Sequence, residues 1–126
     1  MENPVFRKPR MYFETSNHPS HVTFDDGKVL KRNFPWAHYV EARWDYAEVD
    51  TIKITIGYWL VVIAGCNLNP LYAAIEDRTL CRLSVQHDFE GNTEHDLDSF
   101  ATDVQFMRAP DPKPKKGQSE LDLGLG

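Results

Sequence analysis

Alternation of apolar and polar side chains marks most of the chain as extended. From His38 to Tyr46, Val40, Ala42, Trp44 and Tyr46 fall on one face and Glu41, Arg43 and Asp45 on the other. That period of two belongs to a strand with one solvated side. Thr51 to Ile56 repeats it, with Ile52, Ile54 and Ile56 inward and Lys53 outward, and Gly57-Tyr58 is short enough for a tight turn. Trp59 to Ala64 is apolar throughout, which predicts a central strand covered on both faces, by a helix, by a partner subunit or by the other half of a curled sheet. These three segments form a meander.

Upstream, Tyr12 to Thr15 reads as a short edge strand and Ser16 to Ser20 as a turn. His21 to Phe24 and Lys28 to Lys31 flank Asp25-Asp26-Gly27, the signature of a hairpin. Phe34-Pro35-Trp36 interrupts the second of these strands, because Pro35 has no N–H to give a central ladder. Downstream, Asn69 as a cap and Pro70 at the first position open a helix over 70–78, with Leu71, Ala74, Ile75 and Arg78 at helical spacing. Leu80 to His87 returns to extended structure, with Cys81, Leu83 and Val85 on one face. An acidic loop spans Phe89 to Asp98. Phe100 to Met107 makes a last strand, in which Ala101, Val104 and Phe106 are out of phase. The fold class is therefore α+β. A single domain over 12–108 is expected, an antiparallel sheet or partly closed barrel of about six strands with one short helix. It follows an N-terminal arm (1–11) and precedes a Pro- and Lys-rich flexible tail (109–126).

The length of 126 residues fits that one domain. A net charge of −5 opposes general nucleic-acid binding, which needs a surplus of Lys and Arg on one face. The charge is uneven, however. Residues 1–43 hold seven basic and five acidic side chains, whereas residues 44–108 hold four basic and eleven acidic. A local basic surface is thus compatible with the acidic total. The first ten residues carry Pro and charge where a signal peptide needs an apolar stretch, and the apolar run from Tyr58 to Ala64 is far below the ~20 residues of a membrane span. A soluble cytoplasmic protein with no membrane partner is expected.

Candidate chemistry is sparse. No glycine-rich phosphate loop is present, although Gly65 to Asn69 joins a strand to a helix start. His18 with His21, His87 with Asp88 and His95 with Asp96 are only pairs, short of the three or four converging ligands of a zinc site. Cys81 falls on the apolar face of a strand, which favours a buried inert thiol, and Cys66 has no basic neighbour in sequence to activate it. Neither a cofactor nor a metal is called for, and enzymatic activity is disfavoured, a small hydrolase or thiol enzyme using Cys66 and a histidine ranking third. The segment Lys31-Arg32-Asn33-Phe34-Pro35-Trp36-Ala37-His38-Tyr39 interleaves basic and aromatic side chains, the chemistry of single-strand binding. The plainer alternative buries Phe34 and Trp36 at the core edge and leaves Lys31 and Arg32 in water.

In the tail, Gln118-Ser-Glu-Leu121-Asp-Leu123-Gly-Leu125 resembles the short bacterial sliding-clamp-binding peptides, in which a Gln precedes spaced Leu residues, but it lacks their terminal aromatic. Its alternation also suits docking on a sheet edge. The expectation from the whole sequence is a small non-enzymatic binding or assembly module acting through a protein–protein interface. Trp36, His38, Tyr39 and Arg43 are the leading contact residues, and a homodimer is suspected from the apolar strand at Trp59. The alternative is a single-stranded nucleic-acid-binding barrel using residues 31–44, with Lys31, Arg32, Phe34, Trp36 and Tyr39 as its contacts.

Overall fold

Ile52, Ile54 and Ile56 are all fully buried, as their alternation requires, and they anchor the larger of two packed layers. The computed structural model describes residues 8–110. Among these, eight strands and one α-helix follow in the order β1 (Phe13–Thr15), β2 (His21–Asp25), β3 (Lys31–Pro35), β4 (Tyr39–Arg43), β5 (Thr51–Ile56), β6 (Trp59–Cys66), α1 (Asn69–Glu76), β7 (Leu80–Ser84) and β8 (Phe100–Arg108). The strands divide into two four-stranded sheets, ordered β1-β7-β2-β3 and β4-β5-β6-β8. All pairings are antiparallel except β2 with β7. The fold is α+β, mostly β, and the sheets do not close into a barrel. No helix among the described residues is long and apolar enough to cross a membrane.

One core holds both sheets and the helix. Val22, Phe24, Phe34 and Leu83 from the first sheet meet Ile52, Ile54, Ile56, Val61, Ile63 and Val104 from the second, and Leu71, Ala74 and Ile75 of α1 join the same cluster. Full burial of each large aliphatic side chain contributes about 1.5–3 kcal/mol. Parallel bridges Met11↔Ser99 and Val85↔Ala101 tie the sheets at one corner. The end of the expected arm, Arg10 and Met11, is fastened there together with the start of the domain, since Tyr12 N–H donates to the Ser99 carbonyl and Ser99 N–H to that of Arg10. The rest of the arm (1–7) and the tail from 111, including the clamp-like peptide, lie outside the described residues.

Several local expectations are corrected, each for a physical reason. The Asp26 carboxylate accepts from the N–H groups of Lys28, Val29 and Leu30, so the hairpin loop runs to Leu30 and β3 begins at Lys31 instead of Lys28. The helix spans Asn69–Glu76 and is preceded by Leu68, with no side-chain cap. It ends because Arg78 takes a left-handed φ of 56°, with Arg78 N–H bonded to the Ile75 carbonyl and Thr79 N–H to that of Ala74. A bulge in β4 leaves Val40 exposed, and the strand ends at Arg43, so Tyr46 is exposed in the following turn, while Tyr39, Ala42 and Trp44 pack against the core. The phase slip in β8 is another bulge: Ala64 faces Asp103 but Gly65 faces Ala101, so Thr102 is the extra residue. A Cβ on Gly65 would strike the Phe100 carbonyl, which explains a glycine at that crossing. Finally, β6 is buried on one face only. Val61 and Ile63 point into the core, while Leu60, Val62 and Ala64 on the other face are half-exposed.

Candidate functional site

The hydrogen-bond phase of β3 determines which of its backbone groups are available. Trp36 N–H donates to the Ser20 carbonyl and Asp26 N–H to that of Leu30, so the bonded antiparallel pairs between them are Val22↔Phe34 and Phe24↔Arg32. The N–H and C=O of Lys31 and Asn33 therefore point away from β2, at the open edge of the sheet. Pro35 shares this outward phase, and its missing N–H costs the ladder nothing. The same reasoning applies to β8. Ala109 N–H donates to the Tyr58 carbonyl at 2.8 Å, so Met107 and Gln105 bond β6 and the backbone of Val104, Phe106 and Arg108 faces outward.

These two open edges border one cleft. A recess of about 450 Å³ lies between Asp26–Arg32 on one side and Asp103–Met107 on the other, crossed by the Lys28–Asp103 ion pair at 3.7 Å. A second recess of about 710 Å³ adjoins it at Arg32 and is lined by Lys31, Arg32, Asn33, Phe34, His38 and the β5–β6 turn through Trp59. Such volumes are those of ligand-sized sites, though both are open to solvent.

Arginine on tryptophan forms the wall of the cleft. Strand alternation turns Arg32 to the same side as Phe34, and its guanidinium lies 4.0 Å from the Trp59 ring centre and 5.6 Å from that of Phe106. Arg108 lies 5.1 Å from the Trp59 ring centre and 6.0 Å from that of Tyr58. Each such contact is worth about 0.5–2 kcal/mol, depending on desolvation. Neither arginine has an acidic partner among the described residues, and Arg32 Nε is buried without an acceptor. Around them Leu30, Tyr58 and Met107 are exposed.

The structure gathers part of the expected contact set here. Lys31, Arg32, Phe34 and His38 line the larger recess, although Phe34 is buried against Phe24 and Phe106 and offers no free ring face. Trp36 is buried in the core, with Nε1 donating to the Leu80 carbonyl at 2.9 Å. Tyr39 is half-buried edge-on to Trp36 at 5.4 Å, and burial, followed by Tyr72 and Glu76, pushes its phenol above the ordinary value. Arg43 is on β4 beside Asp45, 3.5 Å away, and does not line the recess. Trp59, Tyr58 and Arg108 were not among the contact residues expected from the sequence. Trp59 reads as the start of an apolar strand, and Arg108 is remote in sequence. The one available signal is that Trp59, Phe106 and Arg108 share the inward phase of paired strands.

Other candidate chemistry is weaker. Burial, followed by Glu90, Asp50 and Asp96, raises the Cys66 thiol above its ordinary value, the opposite of an activated nucleophile. Cys66 and Cys81 are both free and half-buried, and Cys81 Sγ donates to the Glu14 carbonyl. Among the described residues no group of three or more His, Cys, Asp or Glu converges as a metal site. No family model matches the chain, and neither a curated protein nor a solved structure is similar to it.

Proposed function

We propose that this protein is a non-enzymatic binding module that takes up an extended, acidic segment of a protein partner along the β3–β8 cleft. The observation that carries the reading is the pair of strand edges that are unpaired among the described residues, beside two arginines that lack carboxylate partners among them. Free N–H and C=O groups at Lys31 and Asn33 offer backbone pairing to an added strand, the mode in which main-chain bonds give affinity and side chains give specificity. Arg, Trp, Tyr and Met are also the residue types enriched at interface centres, and Arg32, Trp59, Tyr58 and Met107 supply one of each.

Selection of a displayed random-peptide library on the purified protein tests this. Enriched peptides are expected to alternate acidic and apolar residues. Asn33→Pro, which removes an outward N–H and leaves the β2–β3 backbone bonds in place while giving up the Asn33 Nδ2 to Thr23 Oγ1 bond, should weaken the selected peptide about tenfold, the equivalent of ~1.4 kcal/mol. Arg32→Ala should do at least as much. Peptides without acidic residues, or affinities unchanged by both substitutions, would refute the reading.

A second reading rests on the same recess. Lys31, Arg32, His38 and Arg108 beside Tyr58 and Trp59 have the composition of a single-strand nucleic-acid groove. Burial of Phe34 and Trp36 removes two of the expected stacking platforms, and the net charge of −5 opposes it further. Anisotropy of a labelled oligothymidylate at about 50 and about 200 mM salt separates the two, because phosphate contacts lose affinity steeply over that range.

A further inference from the structure

We propose that the resident occupant of the cleft is a segment of this same chain, Glu120–Leu125, which lies along the open β3 edge as an added strand until a partner displaces it. The inference rests on the reading of the cleft as a site for an extended acidic segment, and it names that segment.

Four observations converge. The first is chemical complementarity. Glu120-Leu121-Asp122-Leu123-Gly124-Leu125 alternates with a period of two, so an extended backbone places its carboxylates on one face and its leucines on the other. Arg32 and Arg108 lack acidic partners among the described residues, and Arg32 Nε is buried without an acceptor. Exposed Met107 on the rim offers apolar surface to the leucines.

The second is the point of departure. The last backbone bond after β8 runs from Ala109 N–H to the Tyr58 carbonyl, which sets the chain down at the rim of the larger recess, next to Tyr58 and Trp59. The third is reach. Residues 111–119 separate Pro110 from Glu120, and an extended chain covers roughly 3.3 Å per residue, about 30 Å in all. The five residues of β3 extend about 17 Å, so the segment can return along the whole edge.

The fourth is that local sequence separates the two strands. β6 begins at Trp59, just after the Gly57 turn, so β8 has no strand to pair with beyond Arg108, whereas residues 115–126 contain no proline and can donate to a ladder. A connection of this length gives an effective concentration in the millimolar range, enough for a weak edge pairing to be mostly formed within one molecule.

The test is amide hydrogen exchange on the full chain, compared with a full chain carrying Leu121→Ser, Leu123→Ser and Leu125→Ser. The amides of Lys31 and Asn33 have no acceptor among the described residues. In the native chain they are expected to exchange about tenfold more slowly than in the triple variant, the factor for an effective concentration roughly ten times the dissociation constant. The triple variant should also bind a peptide selected as above more tightly, by a similar factor, because its internal competitor is lost.

Exchange of both amides at the unprotected rate in the native chain overturns the proposal. If the selected peptide then binds native and variant chains equally, the cleft reading stands and only the self-occupant falls. If no peptide binds either, both fall. Protection that grows with protein concentration also overturns it, and assigns the segment to a second copy.

Discussion

Asp98 is a carboxylate with no exposed surface, and its replacement is the sharpest test of how the acidic loop is held. Its Oδ1 accepts from the Arg10 N–H and its Oδ2 pairs with His95 Nδ1, both at 2.9 Å. The same residue's backbone carbonyl accepts from Asn67 Nδ2 at 2.7 Å, which ties the left-handed turn at Asn67 to the loop. His95 in turn stacks on Phe89 with ring centres 3.6 Å apart and 6° between planes, and Phe89 meets Tyr12 and Phe100 edge-on. Asp98→Ala strands two donors at once. Each unsatisfied buried donor costs about 1–3 kcal/mol, partly offset because a buried charge is removed, so a net loss of about 3 kcal/mol is expected. Asp98→Asn keeps the shape and an acceptor for Arg10, and its amide can donate to His95 Nδ1 once the ring carries its proton on Nε2 instead, so it should cost only about 1 kcal/mol.

Urea unfolding resolves the two. With a slope of roughly 2 kcal/mol per molar, the alanine variant should lower the midpoint by about 1.5 M and the asparagine variant by about 0.5 M. Equal midpoints for the two variants would refute the reasoning, because they would mean that the carboxylate's acceptor geometry contributes nothing. A large loss in both would instead assign the effect to the negative charge itself.

Arg78 occupies a left-handed position at the helix end, so Arg78→Gly should raise stability by about 0.5–1 kcal/mol, read as a higher thermal midpoint; no change or a loss would count against strain there. Because the Cys66 thiol is raised by burial and by Glu90, Asp50 and Asp96, its alkylation at neutral pH should be slower than that of a free cysteine and accelerate above the ordinary thiol range; rapid labelling at neutral pH would revive the thiol-enzyme reading. Asp26 is held below the ordinary 3.8, first by the Lys28 N–H and then by that of Val29. Its depressed value means that its stabilising contribution is complete above the unfolded value and is lost as pH falls through the folded one. Protection of the amides at 28–30, relative to their intrinsic exchange rates, should therefore fall below about pH 4, and Asp26→Ala should abolish that change in protection; protection independent of pH would exclude the carboxylate as the loop's organiser.

Local periodicity and turn chemistry determined much of this protein in advance. Ile52, Ile54 and Ile56 are inward, the Gly57 turn joins β5 to β6, the meander has its expected order, and Pro70 opens the helix, because each depends on residues within a few positions of one another. Bulges were illegible at Val40 and Thr102, since a bulge is a relation between two strands and appears in one sequence only as a broken alternation. The division into two sheets, the parallel β2–β7 pairing and the burial of Trp36 beneath Leu80 likewise depend on contacts far apart in the chain.

The cleft illustrates the same boundary. Lys31, Arg32 and His38 were readable as a basic-aromatic segment, but which aromatic rings they meet was not. Phe34 and Trp36, their neighbours in sequence, went into the core, and Trp59 and Phe106 came from the opposite sheet to take Arg32. Sequence fixes which side chains share a face of a strand, because that is geometry along one backbone. Only the packing of two sheets decides which faces meet and which edges remain unpaired, because burial is a property of the assembled surfaces.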